Sequence, residues 1–597
     1  MYSRKTIVLI LSAGLFLSGP VLAQTLKENW NDFLHYTKIG RLDLAKGYAQ
    51  VVLESKPDPV ELLALSEENP VGYEILLRVV DTASDAELVE LSGKLLGVIE
   101  EGRFIRRSDP KIITDEIRRL SGTSRAQLAA VERLKNAGEY AIVYIVDAIA
   151  DKARREELPN IVWGLSELGR DTIRPLAAAL QTKDVGVKAE IIKAMGNISY
   201  PQSLAYLKYV IEKDSSAELR GLASQSIGQI DPGALNLPAA RLFYQLAENY
   251  YYHADSLAPA EDANFANIWF WDAEVEKLVS EKVDKSYFNE LMSMRCCEWA
   301  LRADAGFGMA VGLWQAAYFK AESAGIDMPN YFGPGHADAG VYATTAGAEY
   351  LHQALARAIR DKNAYVALQA IEALASTAGE KSLLYRIGVE QPLVQALTFN
   401  NKAVRYSAAI AIASAGPKED FAENKLVTTH LASALGETGE GVTEETDLWD
   451  AQSAESYALR AAQVMLRLVQ SRNPVINLSA AQSALINATK DKRAQIQILS
   501  GRVLAGLESP DAQRSIAAMA LAETNSAEVR VYAFNSLSAS AKLNANLLEG
   551  GMIDAIYSLV SSTDIDPQLR SAAAAAFGAL NLPSERVKDL ILDQAKS

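Results

Sequence analysis

The spacing of histidines and carboxylates decides first which chemistry this chain of 597 residues can support. The five histidines lie far apart, and no pair has the short spacing that zinc sites use. The tripeptide His-Ala-Asp occurs twice, beginning at His253 and His336, and the two copies could share a metal only if the fold brought them together. Because surface His and Asp are usually solvated, we expect no metal site and no cofactor.

The cysteines and the glycine pattern give no further support for catalysis. Cys296 and Cys297 are adjacent, and neighbouring side chains on a helix point about 100° apart, which strains a bridge between them. Packing thiols are favoured over a vicinal redox pair. The chain also lacks the G-x-S-x-G, P-loop and dinucleotide signatures of acyl-transfer and nucleotide chemistry. We therefore expect no enzymatic activity.

Aromatic residues are concentrated in one segment, where 20 of the 45 Phe, Trp and Tyr residues fall between positions 243 and 350. An irregular Pro- and Gly-containing stretch within it carries Tyr331, Phe332 and His336. These aromatics could fill a thick core, since rings contribute much buried area. Alternatively, those three residues could bind a carbohydrate or peptide, because binding residues concentrate on loops held by rigid scaffolds. Both interpretations stay open from the sequence.

A template recurs in five segments of the chain. A capping residue is followed after three positions by an apolar residue and then by a basic one. A small residue lies three positions beyond the basic one, a large apolar residue seven beyond and a small one eight beyond, with Ile191 as an exception. This spacing places the apolar positions on one helical face. The segments are residues 184–196, 216–228, 401–413, 526–538 and 566–578.

These segments resemble HEAT repeats, and the resemblance covers about residues 115–235 and 350–597. A helix pair of this kind cannot bury its apolar face alone, so pairs must stack. The resemblance implies an all-α fold, an elongated α-solenoid of stacked antiparallel helix pairs of the HEAT or armadillo type. Residues 33–59 resemble a tetratricopeptide hairpin, and residues 287–322 resemble another, with helices turning at Ala305 and Gly306.

The organisation that follows has five parts. Residues 1–23 are a signal peptide, 24–114 a helical cap, and 115–235 and 351–597 two sets of HEAT-like repeats. Residues 236–350 between those sets form an aromatic-rich, tetratricopeptide-like helical insertion with a Pro- and Gly-containing loop. The acidic stretch 436–450 is interpreted as a surface loop rather than a cation site, because acidic loops are usually solvated.

The N-terminus indicates the compartment. Arg4 and Lys5 precede a short apolar run, and small residues precede an expected cleavage between Ala23 and Gln24. We expect an exported chain, periplasmic or secreted, with no membrane segment after cleavage. The formal charge of −15 disfavours nucleic-acid and anionic membrane partners.

Together these features predict an extracytoplasmic scaffold that binds protein partners on its repeat surface. A ligand-binding or catalytic protein with its site in the aromatic segment is the first alternative. A structural envelope component that self-associates is the second.

Overall fold

The computed structural model is largely helical and describes residues 25–82, 85–259, 265–324, 335–443, 446 and 448–595. The predicted signal peptide, its cleavage site at Ala23 and Gln24, and the candidate binding residues Tyr331 and Phe332 lie outside the described residues. Contacts divide the chain into two units, one of Met1–Ser203 with Pro259–Ser280 and one of Leu204–Ala258 with Glu281–Ser597. The predicted division into five parts stays a prediction.

The first unit contains eleven of the described helices and most of a two-stranded sheet, whose second strand continues past Ser280, where this unit ends. Helices adjacent in the chain pack against each other, as α1 does with α2 and α6 with α7. The helices are α1 Leu26–Lys38, α2 Leu42–Glu54, α3 Pro59–Glu68, α4 Pro70–Thr82, α5 Ala86–Ser108, α6 Pro110–Arg119, α7 Ser124–Ala137, α8 Ala141–Ala150, α9 Leu158–Glu167, α10 Ile173–Ala179 and α11 Val185–Ile198.

The sequence analysis did not predict the sheet. Residues 236–350 were predicted to form a helical insertion with a Pro- and Gly-containing loop, and within them β1 (Phe265–Asp272) and β2 (Lys277–Asp284) pair as strands. Their sequences, FANIWFWD and KLVSEKVD, carry aromatic and β-branched residues that suit a half-buried pleated surface. The four-residue connection between them allows only an antiparallel hairpin. The hairpin is therefore an element that the helical interpretation of this segment did not include.

One carboxylate attaches the hairpin to the helices of the first unit. Glu139 accepts hydrogen bonds from the Trp269 indole at 2.8 Å and from the Asn267 amide at 2.7 Å. Arg174 pairs with the same carboxylate at 3.2 Å. Charge-assisted bonds of this kind are about twice as strong as neutral ones, so Glu139 fixes the orientation of β1.

The second unit contains twenty of the described helices. They are α12 Leu204–Lys213, α13 Ala217–Ile230, α14 Ala239–Tyr251, α15 Lys285–Ala303, α16 Met309–Glu322, α17 Ala339–Ala346, α18 Ala348–Asp361, α19 Ala364–Thr377, α20 Glu380–Leu383, α21 Pro392–Gln395, α22 Lys402–Ala415, α23 Asn424–Leu435, α24 Ala451–Ser471, α25 Gln482–Ala488, α26 Ala494–Leu504, α27 Pro510–Leu521, α28 Ala527–Asn544, α29 Gly550–Ser561, α30 Pro567–Ala579 and α31 Ser584–Ala595.

Two rows of stacked helices make up much of this unit. In the first row, α19, α22, α24, α26, α28 and α30 each contact the next member. In the second row, α23, α25, α27 and α29 do the same, and each also packs against the first row. This is the stack of helix pairs that the repeat template predicts, and it confirms an α-solenoid arrangement. The predicted turn at Ala305 and Gly306 also lies between two helices, α15 and α16.

Each template position has the role that its residue type predicts. The five capping side chains accept hydrogen bonds from backbone amides of their helices: Asp184, Ser216, Asn401, Ser526 and Asp566. The apolar position that follows is buried in every copy: Val187, Leu219, Val404, Val529 and Leu569. The small position is fully buried in the four copies that have alanine there: Ala223, Ala408, Ala533 and Ala573.

The basic position of the template bonds to the turn that precedes its own helix. Arg405 donates to the carbonyl oxygen of Phe399 at 2.7 Å, and Arg530 donates to that of Ala520 at 3.0 Å. Arg220 donates in the same way to the carbonyls of residues 214 and 215. These guanidinium groups satisfy carbonyls that a helix end or turn leaves without a partner, so they fix the angle between the two helices of a pair.

Candidate functional site

Of the three candidate residues of the predicted binding loop, His336 belongs to the part of the chain that the structure describes. Its ring packs against two tyrosines. The Nδ1 of His336 lies 3.0 Å from the hydroxyl of Tyr318 on α16. Its ring stacks on Tyr342 of α17, with centroids 5.0 Å apart and planes 30° apart. Because the Tyr318 hydroxyl donates its proton to the carbonyl of Ala337 at 2.6 Å, the hydrogen shared with His336 must come from Nδ1. These contacts hold the ring in one orientation.

Carboxylates on either side of this ring also serve the backbone. Asp338 caps α17 by accepting from the amide of Val341 at 2.9 Å. Glu322 accepts from the amide of Ala339 at 2.7 Å, and burial together with the nearby Asp338 charge raises the pKa of Glu322. These bonds secure the end of the loop onto α16 and α17. The contacts of His336 are therefore packing contacts between the end of the loop and these two helices.

A buried arginine joins helices α14 and α18. Arg357 of α18 is 6% exposed and pairs with Glu248 of α14 at 2.7 Å. Its other donors reach the hydroxyls of Tyr244 and Tyr252, each at 2.8 Å. Burial raises the pKa of Tyr244 to about 12, so this phenol stays neutral. The planar guanidinium with five donors suits a site where several acceptors converge, and here it joins α14 to α18.

A second charged cluster joins α15 and α16 to the end of α14. Glu290 of α15 is 2% exposed, and one of its carboxylate oxygens contacts both Lys320, at 3.0 Å, and the Nε2 of His253. Lys320 also donates to the carbonyl of Tyr251 at 2.7 Å. Burial raises the pKa of Glu290, but the His253 hydrogen bond and the Lys320 charge outweigh it, and the net pKa lies below the usual value. Glu290 is therefore an anion at neutral pH.

The two His-Ala-Asp copies have different surroundings. His253 contacts a buried carboxylate, whereas His336 contacts tyrosines. Within the described residues, no group of three or more His, Cys, Asp or Glu side chains is arranged to hold a metal ion.

The adjacent cysteines are both fully buried in α15. Burial raises the pKa of Cys296 to about 12 and raises that of Cys297 well above its ordinary value. Thiols are reactive as thiolates, so neither side chain is an activated nucleophile. Their positions agree with the packing interpretation.

A groove with a volume of about 670 Å³ lies on the C-terminal helix pairs. It is lined by the turn between α25 and α26, the start of α26, one face of α27, the start of α28 and Met552 of α29. Its lining combines apolar residues, among them Ala518, Met519, Ala522 and Val529, with the charged residues Lys490, Asp491, Lys492 and Arg514. Polar groups between them are already ordered, since Gln497 donates to Thr489 and Asn525.

Sequence reasoning did not single out this groove. Apart from Ser526 and Val529, which belong to the repeat template, its lining residues on helix starts and turns follow no motif that the sequence analysis identified. The buried clusters around Arg357 and Glu290 did leave a signal, because both charges interrupt apolar helix faces. That signal indicates buried ion pairs and does not by itself indicate a binding site.

Comparison with known proteins supports the repeat assignment. Residues 142–228 match the family described as HEAT repeats. A search of curated proteins found no match. Solved structures that align with the chain include She4p, at 12% identity over 93% of this chain and 84% of that one, with a TM-score of 0.29. Another is Kap95p bound to RanGDP, at 12% identity over 87% of this chain and 68% of that one, with a TM-score of 0.26.

A third is SYS-1, at 10% identity over 94% of this chain and 100% of that one, with a TM-score of 0.22. These TM-scores are too low to carry an argument about function or overall superposition. The stacked helix pairs of the second unit form an α-solenoid, and residues 142–228 of the first unit match the HEAT-repeat family. Among the described residues, no helix combines the length and the apolarity needed to cross a bilayer.

Proposed function

We propose that this chain is an exported scaffold that binds a protein partner in the groove between α25 and α29. The observation that carries the proposal is the groove itself, which extends across successive helix pairs and is lined by both apolar and charged residues. Protein-binding surfaces typically have an apolar centre and a polar rim. Stacked pairs also hold such a surface rigidly, which reduces the entropy lost when a partner binds.

The chemistry of the lining favours binding over catalysis. Asp491 has a lowered pKa; burial alone would raise it, but hydrogen bonds from Arg493 outweigh that effect. A carboxylate held in this way is a structural anion, and a general base would need a pKa closer to neutrality. The alternative of a catalytic or carbohydrate site at Tyr331, Phe332 and His336 has less support, because the His336 ring is already packed against tyrosines.

Export rests on the sequence of residues 1–23 and is tested separately. The mature chain should begin at Gln24, because small residues precede it at the positions that signal peptidase recognises. Intact-mass measurement of protein recovered from the cell envelope checks this. A chain that keeps its leader, or that starts elsewhere, would contradict the proposed cleavage and leave the groove proposal standing.

Capture from an envelope extract tests the binding site. Ala518 is exposed and lines the groove, so Ala518→Trp should fill the groove without disturbing a buried contact. Ala574→Trp is the matched control, since Ala574 is exposed on α30 and does not line the groove. Wild type and the control should capture and cross-link the same proteins, and Ala518→Trp should lose them. Equal capture by all three would place the partner elsewhere.

Light scattering of the purified chain addresses the remaining alternative. A structural component that self-associates would form larger species as concentration rises, and Ala518→Trp would change this only if the groove were the contact. Capture of glycans alone would favour the ligand-binding alternative.

A further inference from the structure

Helices α6 and α7 of the first unit carry a local excess of positive charge in a chain whose formal charge is −15. Their six cations are Lys111, Arg118, Arg119, Arg125, Arg133 and Lys135. Their three anions are Asp115, Glu116 and Glu132, and Asp109, which caps α6, is a fourth. Every ion pair that these cations make within the described residues uses one of these anions, so the excess remains when all partners are counted.

Two arginines of this group share one carboxylate oxygen. Nη1 of Arg119 on α6 and Nη1 of Arg133 on α7 each lie 2.8 Å from Oε1 of Glu116. Glu116 is buried, whereas both arginine side chains are more than half exposed. Because one anion serves two cations, one positive charge at this contact stays uncompensated.

The contact at Glu116 also places the exposed strips of the two helices side by side. Ile112, Glu116 and Arg119 are four and three residues apart, so they follow one strip of α6. Arg125 and Arg133 are two such steps of four apart, so they share a strip of α7. The residues of the resulting surface, called the α6–α7 face, are Lys111, Ile112, Arg118, Arg119, Arg125, Leu128 and Arg133.

This face interleaves free cations with exposed apolar side chains. Lys111 and Arg125 are exposed and make no ion pair within the part of the chain that the structure describes. Ile112, which follows Lys111, is 42% exposed, and Leu128, one helical turn beyond Arg125, is 63% exposed. Basic residues combined with large exposed apolar ones are typical of surfaces that bind at a membrane interface.

The negative charge of the whole chain does not decide what this face binds. At physiological ionic strength exposed charges are screened beyond about 8 Å, so the local sign governs a close contact. A free phosphate would occupy the arginine pair and leave Ile112 and Leu128 uncovered. A bilayer surface presents many phosphates at once above an apolar layer, so it complements both the cations and the apolar side chains.

We infer that the α6–α7 face binds the surface of a bilayer that contains anionic phospholipids. The planar guanidinium groups of Arg119 and Arg133 suit phosphate oxygens, which accept from their donors. Ile112 and Leu128 enter the headgroup layer beside them. The inference goes beyond the proposed function and is independent of it, because none of these residues lines the C-terminal groove.

Co-sedimentation of the full mature chain with lipid vesicles tests the inference. Vesicles of phosphatidylcholine mixed with phosphatidylglycerol should bind the chain, and binding should weaken as salt rises. Vesicles of phosphatidylcholine alone should bind it far less. Absence of binding to the mixed vesicles, or equal binding to both kinds, would overturn the inference.

A double charge reversal locates the contact on α6 and α7. Lys111→Glu with Arg125→Glu should weaken vesicle binding at least about 25-fold, because each Lys or Arg near an anionic surface contributes about fivefold. Lys183→Glu with Lys425→Glu is the matched control, since both lysines are exposed, lie outside these helices and change the net charge equally. Equal losses in the two double variants would mean that net charge alone governs binding and that this face is not the site.

Leu128→Ser separates a bilayer from a soluble polyanion. The variant should bind the mixed vesicles about fivefold more weakly, because it loses an apolar contact with the headgroup layer. Its binding to polyglutamate should equal that of wild type. If wild type binds polyglutamate as tightly as vesicles, and Leu128→Ser binds vesicles as wild type does, the face takes acidic polypeptides and the bilayer inference is wrong.

Discussion

The aromatic helices α14–α18 and the C-terminal pairs α25–α30 pack against their neighbours with different kinds of side chain. The aromatic helices use large rings, such as Phe243 stacked on Trp299, and charges that are paired inside the protein. The C-terminal pairs use buried alanines and hold their turns with capping side chains and arginines. Rings fill space around their neighbours, whereas small residues allow helices to approach closely.

This difference bears on where a partner can bind. Around Arg357 and Glu290 buried charges bond to neighbouring polar groups, so an added ligand would have to replace existing bonds. On the C-terminal pairs, helix starts and turns leave a groove whose lining includes the exposed residues Lys490 and Ala518. The residues that stand out most in the sequence serve packing, and a run of ordinary residues forms the candidate interface. Four predictions test this comparison, in order of expected effect.

Removing the buried guanidinium should have the largest effect. Arg357→Met leaves Glu248 and two tyrosine hydroxyls without their donor, and breaking a buried pair costs about 3–5 kcal/mol. The loss should lie toward the lower end, because the Glu248 side chain is one-third exposed. Chemical denaturation of both proteins measures it. Arg360→Met is the control, since Arg360 is 66% exposed and its contact with the Asp361 carboxylate is 3.8 Å long. A similar loss of stability in Arg360→Met would contradict a specific contribution from the buried Arg357 pair.

The fold could be predicted from the sequence wherever the repeat template is regular. Caps such as Ser526, buried alanines such as Ala573 and the arginine positions all follow from local spacing. The hairpin at 265–284 was missed because a run of aromatic residues satisfies neither a helical nor a strict strand period. The groove could not be predicted, because it depends on how turns of successive pairs meet. The roles of Tyr331, Phe332 and His336 in binding stay a prediction.

Overpacking the small positions should have the next largest effect. Ala408 and Ala573 are fully buried on α22 and α30, so Ala408→Leu and Ala573→Leu should each destabilise the protein by about 1–3 kcal/mol. Ala574→Leu is the control, because Ala574 lies on the same helix as Ala573 but is exposed. Thermal unfolding measures all three. Unchanged midpoints for both buried variants would mean that close helix contact is not what these alanines provide.

Acid should weaken the cluster around Glu290. Its pKa is lower in the folded protein than its usual value of 4.5, so the stabilisation that it provides is present above that value and is lost as pH falls through the folded pKa. Glu290→Gln should reduce stability by about 1–3 kcal/mol at neutral pH, since it removes the charge from two hydrogen bonds. The difference from wild type should shrink below pH 4.5. Denaturation at several pH values measures it, and a constant difference would contradict the proposed ionisation.

The smallest effect on stability is expected at the predicted loop. Variants of this loop also test the aromatic segment against the C-terminal groove as the binding site. His336→Ala removes a half-buried ring but leaves the Tyr318 hydroxyl bonded to the Ala337 carbonyl. We expect under about 1 kcal/mol of destabilisation, because the ring is only half-buried, and unchanged capture of envelope proteins. A double variant, Tyr331→Ala with Phe332→Ala, extends the test to the other two candidate residues, and Ala518→Trp serves as the positive control for lost capture. Capture that fails in the loop variants at unchanged stability, and persists in Ala518→Trp, would move the site from the groove to the aromatic segment. The reasoning is that a side chain already used for packing, such as His336, loses contacts when it turns toward a ligand, whereas the exposed Ala518 of the groove loses none.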